Sequence, residues 1–172
     1  MTDNYDVIII GAGPAGIFAA REICRNSSGK VLLLEKGRLV DKRSCPITEG
    51  AAKCINCQPC SIMCGWGGAG AFSDGKLTLT TEFGGWLGEY IGKERLADLI
   101  DYVDKVYLEH GAPEKVYGQN EEEFDSMRLH MARANLKLLP ARIRHMGTDN
   151  TLKVLQNLKN DLDPHITIKT GE

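Results

Sequence analysis

Residues 5–35 read as one folding unit. An apolar strand, Val7-Ile8-Ile9-Ile10, runs into the turn Gly11-Ala12-Gly13-Pro14-Ala15-Gly16. A helical stretch with Ile17, Phe18, Ala19, Ala20 and Ile23 follows, and a second apolar strand, Val31-Leu32-Leu33-Leu34, ends in Glu35. Few folds accommodate this order. Strand, glycine turn, helix and strand make a βαβ crossover, and the G-x-G-x-x-G spacing at its first turn suits a helix N-terminus that receives a pyrophosphate. Gly11 permits the tight turn, Gly13 lets the backbone approach a phosphate with no side chain between, and Gly16 allows close packing of helix on sheet. The N–H groups and positive dipole end of the helix then face the anion. Glu35 stands where a carboxylate accepts hydrogen bonds from a ribose 2′-OH, and its charge disfavours a 2′-phosphate. An ordinary glycine turn in an α/β domain is the alternative, and the strand before and helix after it weigh against that.

Composition excludes several classes. The chain has 172 residues, a net charge of −2 and 42% apolar content, enough for a globular domain with a core. Lys and Arg are scattered and offset by acids, so no nucleic-acid footprint is visible. The apolar uncharged run Val7 to Ala20 is broken by glycine and proline and is too short to span a bilayer. The start, Met1-Thr2-Asp3-Asn4-Tyr5-Asp6, lacks the basic residues of a secretion signal, which points to the cytoplasm.

Five of the six cysteines fall between Cys45 and Cys64. Four of these, Cys54, Cys57, Cys60 and Cys64, have the spacing C-x2-C-x2-C-x3-C by which ferredoxins wrap an iron–sulfur cube. Asn56 and Pro59 favour the turns such a loop needs. The fourth ligand beside Cys54, Cys57 and Cys60 is either Cys64 or Cys45, which precedes Pro46 and stands apart from the run. Zinc is a second reading, although structural zinc usually has two CxxC knuckles separated by a longer loop. A redox-active disulfide through Cys54/Cys57 or Cys57/Cys60 is a third. Structural disulfides do not suit a cytoplasmic chain. Cys24, alone on the first helix, reads as a small core residue.

A second glycine-rich run follows at once: Gly65-Trp66-Gly67-Gly68-Ala69-Gly70-Ala71-Phe72-Ser73-Asp74-Gly75-Lys76-Leu77. Its small residues leave backbone amides bare, which suits close approach to a flat ring or a phosphate. Trp66 and Phe72, and the alternating stretch from Lys76 to Thr80, argue against a low-complexity linker.

On the turn at 11–16, on Glu35-Lys36-Gly37, on the Cys-Pro and CxxCxxC elements, and above all on the run at 67–77, the chain resembles the FAD-dependent dehydrogenases of bacteria and archaea. These are relatives of the glutathione-reductase-type flavoproteins, and the likeness extends to Arg144-His145-Met146-Gly147-Thr148-Asp149. The resemblance implies FAD as cofactor, with Gly11, Gly13, Pro14, Ala15, Gly16, Glu35 and Lys36 at its ADP half. It implies the second glycine run, with Gly68, Ala69 and Gly70, near the isoalloxazine; in a flavin site Lys76 is then the candidate for stabilising negative charge on the reduced ring. It also favours Cys45 over Cys64 as a fourth thiolate.

The remaining sequence reads as helices followed by a strand. Leu96, Leu99, Ile100, Val103, Val106 and Tyr107 recur at helical spacing, closed by Gly111 and Pro113. Asn120 caps a second helix carrying Phe124, Met127 and Met131, and Thr148 or Asp149 caps a third with Leu152, Leu155, Leu158 and Leu162 on one face. Residues 165–170 alternate as a strand. His110, His130, His145 and His165 lie in these elements, where a lone histidine is usually structural, and none is given a catalytic role. The expected fold class is α/β: a Rossmann-like FAD/NAD(P)-binding βαβ with an incomplete parallel sheet plus a helical insertion. The expected organisation is a nucleotide-binding unit over 1–45, a Cys- and Gly-rich loop over 45–80, and a helical segment over 90–165. Together 1–172 are expected to be the N-terminal part of an FAD-binding domain in a longer chain. The function expected is that of an FAD-dependent oxidoreductase acting on a small-molecule substrate or redox partner. An iron–sulfur electron-transfer module and a non-catalytic nucleotide-binding or redox-sensing module are its rivals.

Overall fold

A computed structural model describes residues 4–171. In chain order its elements are β1 (Val7–Ile10), α1 (Pro14–Asn26), β2 (Val31–Glu35), β3 (Lys76–Thr78), α2 (Leu87–Ile91), α3 (Lys93–Glu109), β4 (Val116–Tyr117), α4 (Glu121–Arg133), β5 (Ile143–His145), α5 (Thr148–Leu162) and β6 (Thr167–Thr170). Single 3₁₀ turns lie at Val40–Lys42 and Gly68–Phe72. The fold is mixed α/β, divided into two compact units: Lys76–Gly147, and the segments on either side of it in sequence.

The first unit is built on a parallel sheet of order β1-β2-β6. β1 pairs with β2 from Val7↔Val31 to Ile10↔Leu34, and β2 with β6 from Leu32↔Thr167 to Glu35↔Thr170. Parallel neighbours require a crossover, and α1 supplies the one between β1 and β2. As the central strand, β2 is buried at Val31, Leu32 and Leu33, which accounts for its unbroken apolar run. β1 lies at an edge, where Ile8 and Ile10 are 58% and 86% exposed. α5 turns Thr151, Val154, Leu155, Leu158 and Leu162 inward and packs against α1 and both 3₁₀ turns. Trp66 is fully buried against it and donates from Nε1 to the Leu155 carbonyl at 2.8 Å, so its one polar atom is satisfied.

The second unit holds a three-stranded antiparallel sheet of order β3-β5-β4 besides its helices. Arg144, buried at the centre of β5, makes a two-pronged ion pair with Asp104 of α3 (Nε–Oδ1 2.6 Å, Nη2–Oδ2 2.7 Å) and donates to the Pro113 carbonyl at 2.6 Å. The hydrogen bond to Asp104 holds the guanidinium above its ordinary pKa, against the effect of burial. α3 buries Val106 and Tyr107. α4 buries none of its described residues, so the Phe124, Met127 and Met131 stripe is only partly covered, with Met127 51% exposed. Among the described residues no helix is long and apolar enough to cross a membrane.

Candidate cofactor site

At the C-terminal ends of β1 and β2 the glycines of the first turn do three different things. Gly11 takes φ +99°, open to glycine at little cost, and its N–H donates to the Leu34 carbonyl at 2.7 Å. Gly13 is the N-cap of α1, in extended backbone, and a methyl group added there would meet nothing within 4 Å. At Gly16 the same addition would lie 1.9 Å from the Gly11 carbonyl oxygen. The third glycine therefore seats α1 on its own turn, more directly than on the sheet, where Ile9 Cγ2 is 3.4 Å away. α1 opens with Pro14, has no side-chain cap and no acid in its first turn. The first-turn amides of a helix have no intrahelical acceptor, so those of Ala15 and Gly16 point outward from a half-exposed turn.

Glu35 is 7% exposed, and its carboxylate is held by three backbone donors. The Ala12 N–H reaches Oε2 at 2.8 Å, and those of Gly37 and Gly65 reach Oε1 at 2.8 and 2.9 Å. Burial pushes this carboxyl up, but the three donors and the Arg43 guanidinium outweigh it and hold the group below the usual carboxylate range. A carboxylate accepts about four hydrogen bonds, which leaves Glu35 about one free acceptor position for a ribose hydroxyl. The residue expected to grip a sugar is thus first a clamp joining the glycine turn, the end of β2 and the start of the second glycine run.

That second run is closed at one end and open at the other. An added Cβ would lie 2.4 Å from the Arg38 carbonyl at Gly65 and 2.4 Å from Leu155 Cδ1 at Gly67, both at positive φ. Gly67 donates to the Ala12 carbonyl at 2.8 Å, and the Cβ position of Gly68 lies 3.3 Å from Gly13 Cα, so the two glycine segments abut. Ala69 and Gly70 are exposed. The fold thereby brings together Gly11, Gly13, Pro14, Ala15, Gly16, Glu35 and Gly68; Lys36, exposed, follows Glu35. Lys76 belongs to the other unit, where it pairs with His145 across β3 and β5.

Arg43 is the residue that sequence reasoning missed. Buried at 6% exposure, it donates to the carbonyls of Ser61 (2.8 Å), Ile62 (2.6 Å), Trp66 (2.9 Å) and Gly68 (2.8 Å) and stands over the Phe72 ring at 4.7 Å. It ties the cysteine loop to the second glycine run. Nothing local in its sequence sets it apart from the other arginines.

The cysteine loop turns at Asn56, whose φ is +54°, and the Asn56 N–H donates to Cys54 Sγ at 3.4 Å. Cys45, Cys54, Cys57 and Cys60 line one cavity of about 180 Å³; Cys64 does not line it, and its N–H instead closes a turn onto the Cys60 carbonyl at 2.9 Å. The backbone N–H groups of Met63 and Ile62 aim at the Cys60 sulfur and, with Arg43, lower its thiol pKa against the effect of burial. All six cysteines are unpaired, and among the described residues no three His, Cys, Asp or Glu side chains gather closely enough to hold a metal ion as they stand. Cys24 is half-buried on α1, where desolvation raises its thiol pKa. His110 and His130 spend Nδ1 on the carbonyls of Val106 (2.7 Å) and Ser126 (3.0 Å), a structural use.

No protein-family model matches the chain. An uncharacterized protein of Clostridium beijerinckii is 45% identical over 76 residues, 41% of this chain and 13% of that protein. Among solved structures, an L-amino acid deaminase from Proteus vulgaris is similar at TM-score 0.40 and 15% identity over 99% of this chain and 40% of its own. An L-amino acid deaminase from Proteus myxofaciens, in complex with anthranilate, is similar at TM-score 0.35 and 17% identity over 99% of this chain and 39% of its own.

Proposed function

We propose that this chain carries the ADP-binding part of an FAD site in a flavin-dependent oxidoreductase, with a Rossmann-like sheet of which β1, β2 and β6 are three strands. The observation that carries this reading is the uncapped, unobstructed start of α1 at the C-terminal ends of β1 and β2, the position where ligands bind open α/β sheets. The amides of Gly13, Ala15 and Gly16 hold the pyrophosphate, and Gly13 keeps its approach clear. The remaining acceptor position of Glu35 takes a ribose hydroxyl, and its charge repels a 2′-phosphate. Gly68, against Gly13, extends the same small-residue surface, and Ala69 and Gly70 leave their amides accessible beyond it. When bound, FAD supplies two-electron chemistry that side chains lack.

The test is a titration of the purified chain with FAD, followed by quenching of flavin fluorescence, with ADP and 2′-phospho-ADP as competitors. Displacement by ADP, but not by its 2′-phosphorylated form, supports the reading. Absence of affinity for any adenine-bearing coenzyme overturns it. Binding of ADP with no gain in affinity for FAD favours the non-catalytic nucleotide-binding module.

A further inference from the structure

The cysteine loop lies outside the site just described and needs an occupant of its own. Four thiols line a single cavity although one of them, Cys45, stands nine residues ahead of the other three. Their setting is partly apolar, with Ile47 and Ile55 in the wall. At about 180 Å³ the space exceeds the roughly 150 Å³ of an engineered cavity that takes up benzene, so it suits a polyatomic guest. A lone zinc ion does not match it. Zinc binds thiolate sulfur at about 2.3 Å, which draws four sulfurs to within about 4 Å of one another. No three of these ligand atoms converge in that way, and a single ion would leave most of the cavity empty. A cube of iron and sulfide is a polyatomic guest, and ferredoxin-type loops hold it on four cysteine thiolates, the number that line this cavity.

We propose that Cys45, Cys54, Cys57 and Cys60 together hold a [4Fe–4S] cluster, with Cys64 outside the ligand set. The left-handed turn at Asn56 reverses the chain between Cys54 and Cys57. Arg43, by taking the Ser61 and Ile62 carbonyls, anchors the loop just after Cys60 and brings a buried positive charge near the thiolates, which a cluster of net negative charge favours. The site does not depend on the flavin reading: the loop contributes no residue to the turn at 11–16.

The full chain, expressed with ample iron and purified without oxygen, is assayed for iron, acid-labile sulfide and zinc, and separately for flavin released by acid. The same preparation is examined by electron paramagnetic resonance after reduction, and Cys45→Ser and Cys64→Ser are treated identically. About four iron and four sulfide per chain, retained in Cys64→Ser, support the proposal. Cys45→Ser then loses iron and sulfide by about tenfold or more, or shifts the resonance signal, since even an outer partner of a metal ligand is worth that much. Far-UV circular dichroism shows that Cys45→Ser remains folded. Zinc without sulfide, a folded metal-free chain, or a cluster that survives Cys45→Ser unchanged but not Cys64→Ser would overturn it. Flavin content decides the other reading by itself, so the two fail separately.

Discussion

α1 and α4 are both thirteen residues long, and their N-termini are opposites. α4 supplies its own negative groups: Asn120 Oδ1 accepts from the Glu122 and Glu123 amides at 3.1 and 3.2 Å, and Glu121, Glu122 and Glu123 fill the first turn. Its dipole is complemented and its orphan donors are used. α1 begins with a glycine cap, a proline and no acid, so its donors and dipole stay unmatched. Leaving a helix end bare costs stability that a serine or aspartate at position 13 would recover, and the fold forgoes it at the C-terminal edge of a parallel sheet. On the reading proposed above, the end left bare is the one that receives the ligand, and Gly13 keeps it clear.

The largest expected effect separates packing from clearance within the bare end. Gly16→Ala drives a methyl into the Gly11 carbonyl, a backbone atom that cannot swing aside, and is expected to destabilise the chain by about 4 kcal/mol in urea unfolding. Gly13→Ala, in open space, is expected to change stability by less than about 1 kcal/mol. Equal losses at the two positions would show that clearance at Gly13 is not special. Next comes Gly13→Asp, which gives α1 the kind of cap α4 already has; its extended backbone suits that role. Stability is expected to rise by about 0.5–1 kcal/mol while FAD affinity falls roughly 100-fold, since the new carboxylate occupies the anion position. Unchanged affinity in calorimetric titration would remove α1 from the site.

Much of this was readable beforehand because it rests on local rules. The βαβ order, the Asn120 cap, the leucine face of α5 and the final strand follow from periodicity, turn residues and caps, each a property of neighbours in sequence. The strands β4 and β5, two and three residues long, are too short to show alternation, and the latter has a charged residue at its centre. Arg144 is buried there only because Asp104, forty residues away, meets it. Arg43 was hidden for the same reason: its acceptors are carbonyls at 61, 62, 66 and 68, and backbone acceptors leave no mark in a sequence. Glu35 was found for its place at the end of β2. Its hold on the amides of Ala12 and Gly65 depends on how the second glycine run folds back.

Glu35 holds the Ala12 amide, two residues ahead of α1, whereas Glu121, Glu122 and Glu123 lie in the first turn of α4 itself. Glu35→Gln replaces one ionic acceptor with an NH₂ facing amide donors and is expected to cost about 2 kcal/mol at neutral pH. The cost depends on pH with a definite sign. Because the folded carboxyl is held below its ordinary range, the unfolded chain binds more protons between the two values, and stability there rises with pH. The contribution is complete above the ordinary range and is lost as pH falls through the folded value. The gap between native and Gln chains should therefore close in acid; a gap that stays constant would mean the carboxylate charge is not what the three amides hold.

The smallest effect tests the other helix. Asn120→Ala removes the acceptor of two amides and is expected to cost about 1 kcal/mol, seen as faster amide hydrogen exchange in the first turn of α4. α4 buries none of its described residues, so the loss should stay local and leave FAD affinity unchanged. The same readout on α1 gives the matching half of the comparison. Its first-turn amides should exchange fast in the free chain and slow when FAD is added, because there the ligand takes the place of the cap that Asn120 provides in α4. Protection of the α1 amides in the free chain would mean that some other group already fills that end.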